Sequence, residues 1–204
     1  MSVFDFPSVI TPNSSSIQMI NNVGSFPPSV FSGFVQAFGR HAARWGLTLT
    51  FTNLKYDESQ LITAFFAHLH GMEHRFNCPD HRYIQRGLMT GTPLINGAGQ
   101  TNGWALSTDG WTPDITLLAG NKFSFVNADG NHELKMLTTD AVVDGSGNAD
   151  LDIFPDIHSA PADNAVITIE KPLGKFMLTS NSLDLDNQPG DWTSFNISAI
   201  EDIN

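Results

Sequence analysis

Residues 45–54 read WGLTLTFTNL, and this stretch decides the class of fold. Its apolar side chains Trp45, Leu47, Leu49 and Phe51 are separated by single small or β-branched residues. Successive side chains of an extended strand point to opposite faces, so this period of two predicts a β-strand with one buried face. Elsewhere, short apolar runs are separated by Gly, Asn, Asp and Pro, which is typical of all-β proteins. We therefore expect a mainly β fold.

One helix is predicted directly after this strand, over residues 57–70. Apolar residues recur at every fourth position from Leu61 to Leu69, which places them on one helical face, and Ile62 and Phe66 widen this apolar stripe. Asp57 is the expected N-cap, and Gly71 is expected to end the helix. We expect this helix to pack against a sheet.

The composition bounds the size and the partners of the protein. The 204 residues suffice for one domain or two small ones, and 41% of them are hydrophobic. The formal net charge of −11 argues against a basic surface for nucleic acid or anionic membranes. Residues 1–139 hold nine acidic and eight basic residues, whereas residues 140–204 hold twelve and two. The acidity therefore belongs to the last third of the chain.

The single cysteine and the first sixteen residues indicate the cellular compartment in which the protein is expected to fold. The single cysteine, Cys78, cannot form an intrachain disulfide. The opening MSVFDFPSVITPNSSS lacks the basic and apolar regions of a secretory signal. No stretch approaches the ~20 apolar residues of a transmembrane helix. We therefore expect a soluble protein made in the cytoplasm, without membrane insertion.

A glycine-rich stretch predicts the entry to a second module. Residues 90–103 read TGTPLINGAGQTNG, which favours a flexible crossing over a strand. Two β-hairpins are predicted after it, one pairing residues 122–127 with 132–138 and one pairing residues 140–143 with 149–154.

The end of the chain returns to strands of the first kind. Residues 175–179 and 192–200 are predicted strands, and the second has Phe195, Ile197 and Ala199 on one face. If these strands belong to the first module, the second module is an insertion.

Five potential metal ligands lie within fourteen residues: His68, His70, His74, Cys78 and His81. His70 and His74 are four residues apart, but Gly71 falls between them. The segment HGMEH also lacks the glutamate that follows the first histidine in metalloprotease helices. The spacing also matches no common structural zinc pattern. We expect these residues to lie at the surface or at element boundaries, with no metal bound.

The remaining motifs do not assemble an active site. The chain lacks a G-x-S-x-G motif, the glycines of residues 97–103 are misspaced for a dinucleotide loop, and the acidic stretches fail the calcium-loop template. We therefore expect no catalytic residues, no cofactor and no enzymatic activity. Trp104 and Trp111 are candidates for stacking on glycans or for anchoring an interface.

The order of these segments resembles the distal tail proteins of tailed bacteriophages. The resemblance rests on WGLTLTFTNL (45–54), DESQLITAFFAHLHG (57–71), HRFNCPD (74–80), GTPLINGAGQTNG (91–103), LLAGNKFSF (117–125), DAVVDGSGNADLDIFPDI (140–157) and SAPADNAVITIEKPLGKFML (159–178). It implies a tail-tube-like β-sandwich or barrel with one flanking helix, formed by residues 1–85 and 173–204. It also implies an inserted small β-barrel or sandwich of residues 86–172.

The same resemblance implies a structural role in the virion. Family members form a six-fold ring that joins the tail tube to the hub and receptor-binding proteins. The implied partners are other copies of the chain, the tail tube protein and the hub or tip proteins. The implied location is the phage tail, assembled in the host cytoplasm. We expect Asp184, Asp186 and Asp191 to line the lumen, where like charge lets DNA pass without binding.

Three other functions fit parts of the sequence. The first is a carbohydrate-binding virion module that recognises host-surface glycans through Trp104 or Trp111. The second is a tail-tube or head-decoration protein. The third is a small hydrolase that uses the histidines of residues 68–81.

Overall fold

The computed structural model describes residues 1–25, 37–39, 41–100 and 103–203. Within these ranges the chain is mainly β with one helix, as predicted. The helix is α1 (Tyr56–His68). The strands are β1 (Val3–Asp5), β2 (Ser14–Ile20), β3 (Val23–Ser25), β4 (Ala37–Gly39), β5 (Arg44–Lys55), β6 (Arg75–Pro79), β7 (Gly91–Ile95), β8 (Ala105–Trp111), β9 (Thr116–Leu117), β10 (Lys122–Val126), β11 (His132–Leu137), β12 (Ala141–Val142), β13 (Ala149–Phe154), β14 (Ile167–Thr168), β15 (Leu173–Leu178), β16 (Asp186–Gln188) and β17 (Trp192–Glu201).

The predicted strand of residues 45–54 lies within β5, the longest strand of the first sheet. This sheet has the order β1-β6-β15-β17-β5-β2, with β16 also paired to β17. Strand β5 pairs antiparallel with β17, so that Leu49 lies opposite Ile197. Leu47, Leu49 and Phe51 are buried, as the alternation predicted.

Helix α1 covers the buried face of this sheet and begins one residue before the predicted span. Its N-cap is Lys55 rather than Asp57, and the Glu58 carboxylate accepts the Lys55 backbone N–H at 3.3 Å. The buried apolar residues are Ile62, Phe66 and Leu69, whereas Leu61 is 48% exposed. The prediction that Leu61 lies on the buried face was wrong, because the buried stripe starts one position later.

No described helical segment is long and apolar enough to cross a bilayer.

The second sheet is a nearly closed barrel. Its strand order is β14-β10-β11-β13-β8-β7. The two ends of this order meet, because Ile95 N–H donates to the Ala165 carbonyl at 3.0 Å and Asn164 N–H donates to the Ile95 carbonyl at 2.9 Å. The interior holds a separate apolar cluster that includes Leu106, Phe123 and Leu151. This matches the inserted small barrel of the predicted fold class.

One predicted hairpin is confirmed and the other was wrong. Strands β10 and β11 pair antiparallel, with Ser124 opposite Leu134. Strand β12 instead pairs with β9, and β13 pairs with β8 and β11. The turn between them is present, since Asp144 N–H donates to the Asn148 carbonyl at 2.9 Å, but the strands diverge beyond it because each finds another partner.

The glycine-rich stretch was also misread in part. Residues Gly91–Ile95 form edge strand β7, which pairs with β8 through a bulge. Thr101 and Asn102 of this stretch lie outside the described residues. Glycine does not prevent a strand here because the bulge brings the two backbones close together.

The barrel leaves and rejoins the first sheet between adjacent strands. Leu173 of β15 lies directly opposite Pro79 of β6. The strands of the first sheet come from residues 3–79 and 173–201, and those of the second from residues 91–168. The two parts share packing, because Leu134 and Phe154 of the barrel belong to the core of the first sheet. The exact boundaries of 86–172 and the ring-forming role of the first part stay predictions.

Candidate functional site

A groove of about 750 Å³ opens beside helix α1. Its walls are the C-terminal half of α1, the strands β5 and β17, and the connection from residue 178 to residue 186. Hydroxyl and amide side chains such as Thr50, Thr63 and Asn196 alternate with the aromatic rings of Phe51 and Phe195. A surface of this composition can accept a polar polypeptide segment through hydrogen bonds and apolar contacts.

Two of the three predicted lumen residues line this groove. Asp184 and Asp186 belong to its lining, and Asp191 lies in the turn between β16 and β17. All three are exposed. Among the groove residues that the structure describes, Asp184 and Asp186 are the only ionisable ones. The structure therefore brings two of the three together, in a position where a neighbouring molecule can meet them.

The two predicted glycan-stacking tryptophans differ in exposure. Trp104 is 43% exposed and stacks on Phe154 with ring centroids 6.2 Å apart. Trp111 is 3% exposed, and its indole Nε1 donates to the Thr108 hydroxyl at 2.8 Å. A glycan-stacking role for Trp111 was therefore wrong, because its ring belongs to the barrel interior.

The histidine-rich segment divides into two groups. His70, Glu73 and His74 each offer a ligand atom, and these atoms lie within 4.8 Å of one another. Cys78 and His81 form a separate pair, with Sγ and Nε2 3.6 Å apart. The segment turns at Gly71 and then enters strand β6, so the ligands predicted as one candidate set do not converge on one point.

Cys78 is unsuited to nucleophilic or metal chemistry. Its side chain is fully buried, and this burial, together with the negative charge of Asp80, raises the pKa of the thiol well above its usual range. Metal binding and nucleophilic attack both require the thiolate. Burial lowers the pKa of the neighbouring His81 despite the opposing effect of Asp80. The pair is therefore a neutral contact within the protein.

A set of buried charges lies where the barrel packs against the first sheet, and we call it the ionic junction. Its members are Arg75, Glu133, Lys135, Asp156, Lys175, Glu201 and Asp202, all of them buried.

Three ion pairs dominate the junction. The Asp202 carboxylate lies 3.0 Å from Arg75 Nε and 3.0 Å from Lys175 Nζ. Lys135 Nζ lies 2.8 Å from Glu133 Oε2 and donates to the Asp156 carbonyl at 2.6 Å. Each ion pair lies within one part, because Arg75, Lys175 and Asp202 belong to the first sheet and Glu133 and Lys135 to the barrel. Buried ion pairs contribute little net stability, but removing one partner is strongly destabilising.

The carboxyl groups of the junction experience opposite effects. Burial alone would raise the pKa of Glu133, but Lys135 and hydrogen bonds from Asn127 and Ser159 outweigh it and hold that pKa below its ordinary value. Burial raises the pKa of Glu201 to about 7, against the opposing charge of Lys135. Burial and the charge of Lys135 lower the pKa of His158 to about 4. The pKa of Glu133 is therefore lowered and that of Glu201 is raised, although both carboxyl groups lie in the ionic junction.

Sequence reasoning missed the ionic junction entirely. Its residues lie on strands β6, β11, β15 and β17 and on the segments that follow β13 and β17, so no local spacing connects them. The only sequence signal is a charged residue in an otherwise apolar strand, as at Lys175 in LGKFML.

Comparison with known proteins adds no family assignment, because no protein-family model and no curated protein matches the chain.

Proposed function

We propose that this chain is a structural virion protein that acts as a distal tail connector and forms a closed, six-fold ring between the tail tube and the tail hub. The observation that carries the proposal is the pairing of Pro79 with Leu173. Because these residues are neighbours across β6 and β15, the first sheet is continuous without the barrel. A ring subunit with an insertion requires this arrangement, since the insertion must leave the ring-forming sheet intact.

The edges of the first sheet support self-assembly. Strand β2 pairs with β5 on its inner side, and no strand among the described residues pairs with its outer side. An unpaired strand edge presents backbone donors and acceptors to another molecule. A ring needs two different patches that meet head to tail, and the opposite edge of the sheet, at β1, supplies the second.

The contacts between the barrel and the first sheet support a connector role in a different way. The indole Nε1 of Trp45 donates to the Leu134 carbonyl at 2.9 Å, and the Leu173 N–H donates to the Ser124 hydroxyl at 3.0 Å, so the barrel is held on the first sheet by hydrogen bonds at separate points. A module that projects from a ring and contacts other tail components needs a fixed orientation, and such contacts provide it.

The acidic residues of the returning hairpin suit a lumen through which DNA passes. Asp184, Asp186 and Asp191 are exposed. None of them takes part in a salt bridge among the described residues. A like-charged wall repels the phosphate backbone and prevents adhesion.

Electron microscopy of the purified chain over a range of concentrations tests the proposal. We expect six-fold annular particles in which residues 184–191 face the lumen. A chain that remains monomeric at the highest concentration contradicts self-assembly, and a ring with these residues facing outward contradicts the lumen assignment.

A matched pair of variants tests the edge contact. Met19 of β2 is 61% exposed, and Leu61 on the free face of α1 is 48% exposed. We expect Met19→Lys to reduce ring formation without changing the unfolding temperature, whereas Leu61→Lys leaves ring formation unchanged. Equal effects of the two substitutions would contradict an interface at β2.

Glycan recognition by the barrel is a second candidate, which the exposure of Trp104 favours. If it is correct, Trp104→Ala abolishes binding on a glycan array and leaves assembly intact. Trp192→Ala is the matched control, because Trp192 is 39% exposed but belongs to the first sheet.

A further inference from the structure

The turn that follows helix α1 has a backbone held in place by several contacts. His70 and Gly71 adopt positive φ values of 49° and 67°. His70 N–H donates to the Ala67 carbonyl at 3.1 Å, and His74 N–H donates to the Leu69 carbonyl at 3.1 Å. The chain therefore reverses within one helical turn and brings residues 70 and 74 back together.

The buried Arg75 fixes the far side of this turn. Its Nη1 donates to the carbonyls of Met72 at 2.8 Å, Glu73 at 3.2 Å and His74 at 3.2 Å. Three successive carbonyls that converge on one guanidinium leave the backbone little freedom.

Asn181 holds the turn from the other side. Its Oδ1 accepts the Met72 N–H at 3.0 Å. A Cβ at position 71 would lie 2.6 Å from the same oxygen, so Gly71 is required for this approach. Gly71 and Asn181 also line the groove beside α1, which places the turn at one end of that groove.

Three potential ligands project from this rigid turn. His70 Nδ1 lies 3.5 Å from Glu73 Oε2, and the rings of His70 and His74 have centroids 5.3 Å apart. Zinc lies about 2.0–2.2 Å from imidazole nitrogen and carboxylate oxygen, so its ligands are separated by roughly 3.4 Å in a tetrahedral site. The ligand atoms here lie within 4.8 Å of one another, and rotation of the exposed His70 and Glu73 side chains would close the difference.

We infer that His70, Glu73 and His74 form a binding site for a zinc ion. Two imidazole nitrogens and one carboxylate oxygen favour zinc as the bound ion, because magnesium and calcium select sites made only of oxygen ligands. Three protein ligands leave a fourth coordination position for water or for a donor from a second molecule. The site goes beyond the proposed structural role and does not depend on it.

Glu73 is the ligand that the sequence-based prediction did not include. The sequence already placed His70 and His74 four residues apart, but the glycine between them argued against a shared helical face. The turn brings the imidazoles together without a helix and adds the carboxylate of Glu73 from between them.

Zinc titration of the full chain without a histidine tag tests the inference. After dialysis against chelator, isothermal calorimetry with ZnCl₂ should give about one zinc ion per chain. We expect the double variant His70→Asn/His74→Ala to lose this binding and Glu73→Gln to weaken it by at least about tenfold. Asparagine tolerates the positive φ at position 70, so the turn is retained.

His68→Asn is the matched control. The His68 ring lies 6.5 Å from the His70 ring, but His68 is not one of the three ligands. Zinc should raise the unfolding temperature of the wild type and of His68→Asn, and should leave that of the double variant unchanged. Absence of saturable binding to the wild type overturns the site, and so does equal binding to the double variant or loss of binding in His68→Asn.

Discussion

The indole Nε1 of Trp45 donates a hydrogen bond to the backbone carbonyl of Leu134 at 2.9 Å. Trp45 lies on β5 of the first sheet and Leu134 lies on β11 of the barrel, so one side chain bridges the two parts. The ring of Trp45 also packs edge-on against Phe154 of the barrel, with centroids 5.0 Å apart. This contact makes the barrel part of the same core as the first sheet.

Replacing Trp45 with phenylalanine should destabilise the whole chain. The substitution leaves the buried Leu134 carbonyl without its donor, which costs about 1–3 kcal/mol in the free energy of unfolding. Urea unfolding followed by circular dichroism measures this cost, and we expect a single transition because the parts share a core. Trp192→Phe, at a partly exposed position, should change stability by less than about 0.5 kcal/mol. Two separate transitions in the wild type would contradict the coupling.

Glu201 should make stability depend on pH. Burial raises its pKa from 4.5 to about 7, so between these values the folded chain binds more protons than the unfolded chain. Its contribution is therefore fully present below pH 4.5 and is lost as the pH rises through 7. In Glu201→Gln this loss is absent, and the stability of the variant relative to wild type should increase by roughly 2–3 kcal/mol from pH 5 to pH 8.

The comparison between variant and wild type isolates Glu201 from other groups. Burial lowers the pKa of His158 to about 4, so its contribution to stability is lost as the pH falls, which is opposite to the pH dependence from Glu201. Both proteins contain this histidine. Glu170→Gln at an exposed position is the control and should show the same pH dependence as wild type. A constant difference between Glu201→Gln and wild type across this range would refute the assignment.

Cys78 should be unreactive in the folded protein. Its fully buried thiol has a pKa raised by burial, so both access and the thiolate fraction are low. Labelling with Ellman's reagent at pH 8 should be slower than in urea by at least about a hundredfold. Rapid labelling of the native chain would show that β6 opens readily.

Gly110 should tolerate no side chain. Its φ is +73°, and a Cβ there would collide with the Thr92 carbonyl on the neighbouring strand. Gly110→Ala should therefore cost more than about 2 kcal/mol in the free energy of unfolding. Gly145→Ala is the control, because a Cβ at position 145 meets nothing within 4 Å, and it should be nearly neutral. Thermal unfolding of the two variants distinguishes these outcomes.

The sequence by itself determined the elements whose signals are local. The alternation from Trp45 to Phe51 predicted β5, and the apolar spacing up to Leu69 predicted α1. The Asp129-Gly130 turn predicted the β10–β11 hairpin. Each of these signals lies within about a dozen residues, because side-chain periodicity and turn chemistry depend on neighbours along the chain.

Only the tertiary structure decided which strands pair at a distance and which polar groups meet. The pairing of β12 with β9, the burial of Trp111 and the approach of Asp202 to Arg75 and Lys175 all join residues far apart in the chain. Strand partners are chosen by the packing of whole sheets, and a buried charge is tolerated only where the fold supplies its counterpart. Periodicity contains neither kind of information, and for this reason the ionic junction and the ligand set of His70, Glu73 and His74 became visible only in three dimensions.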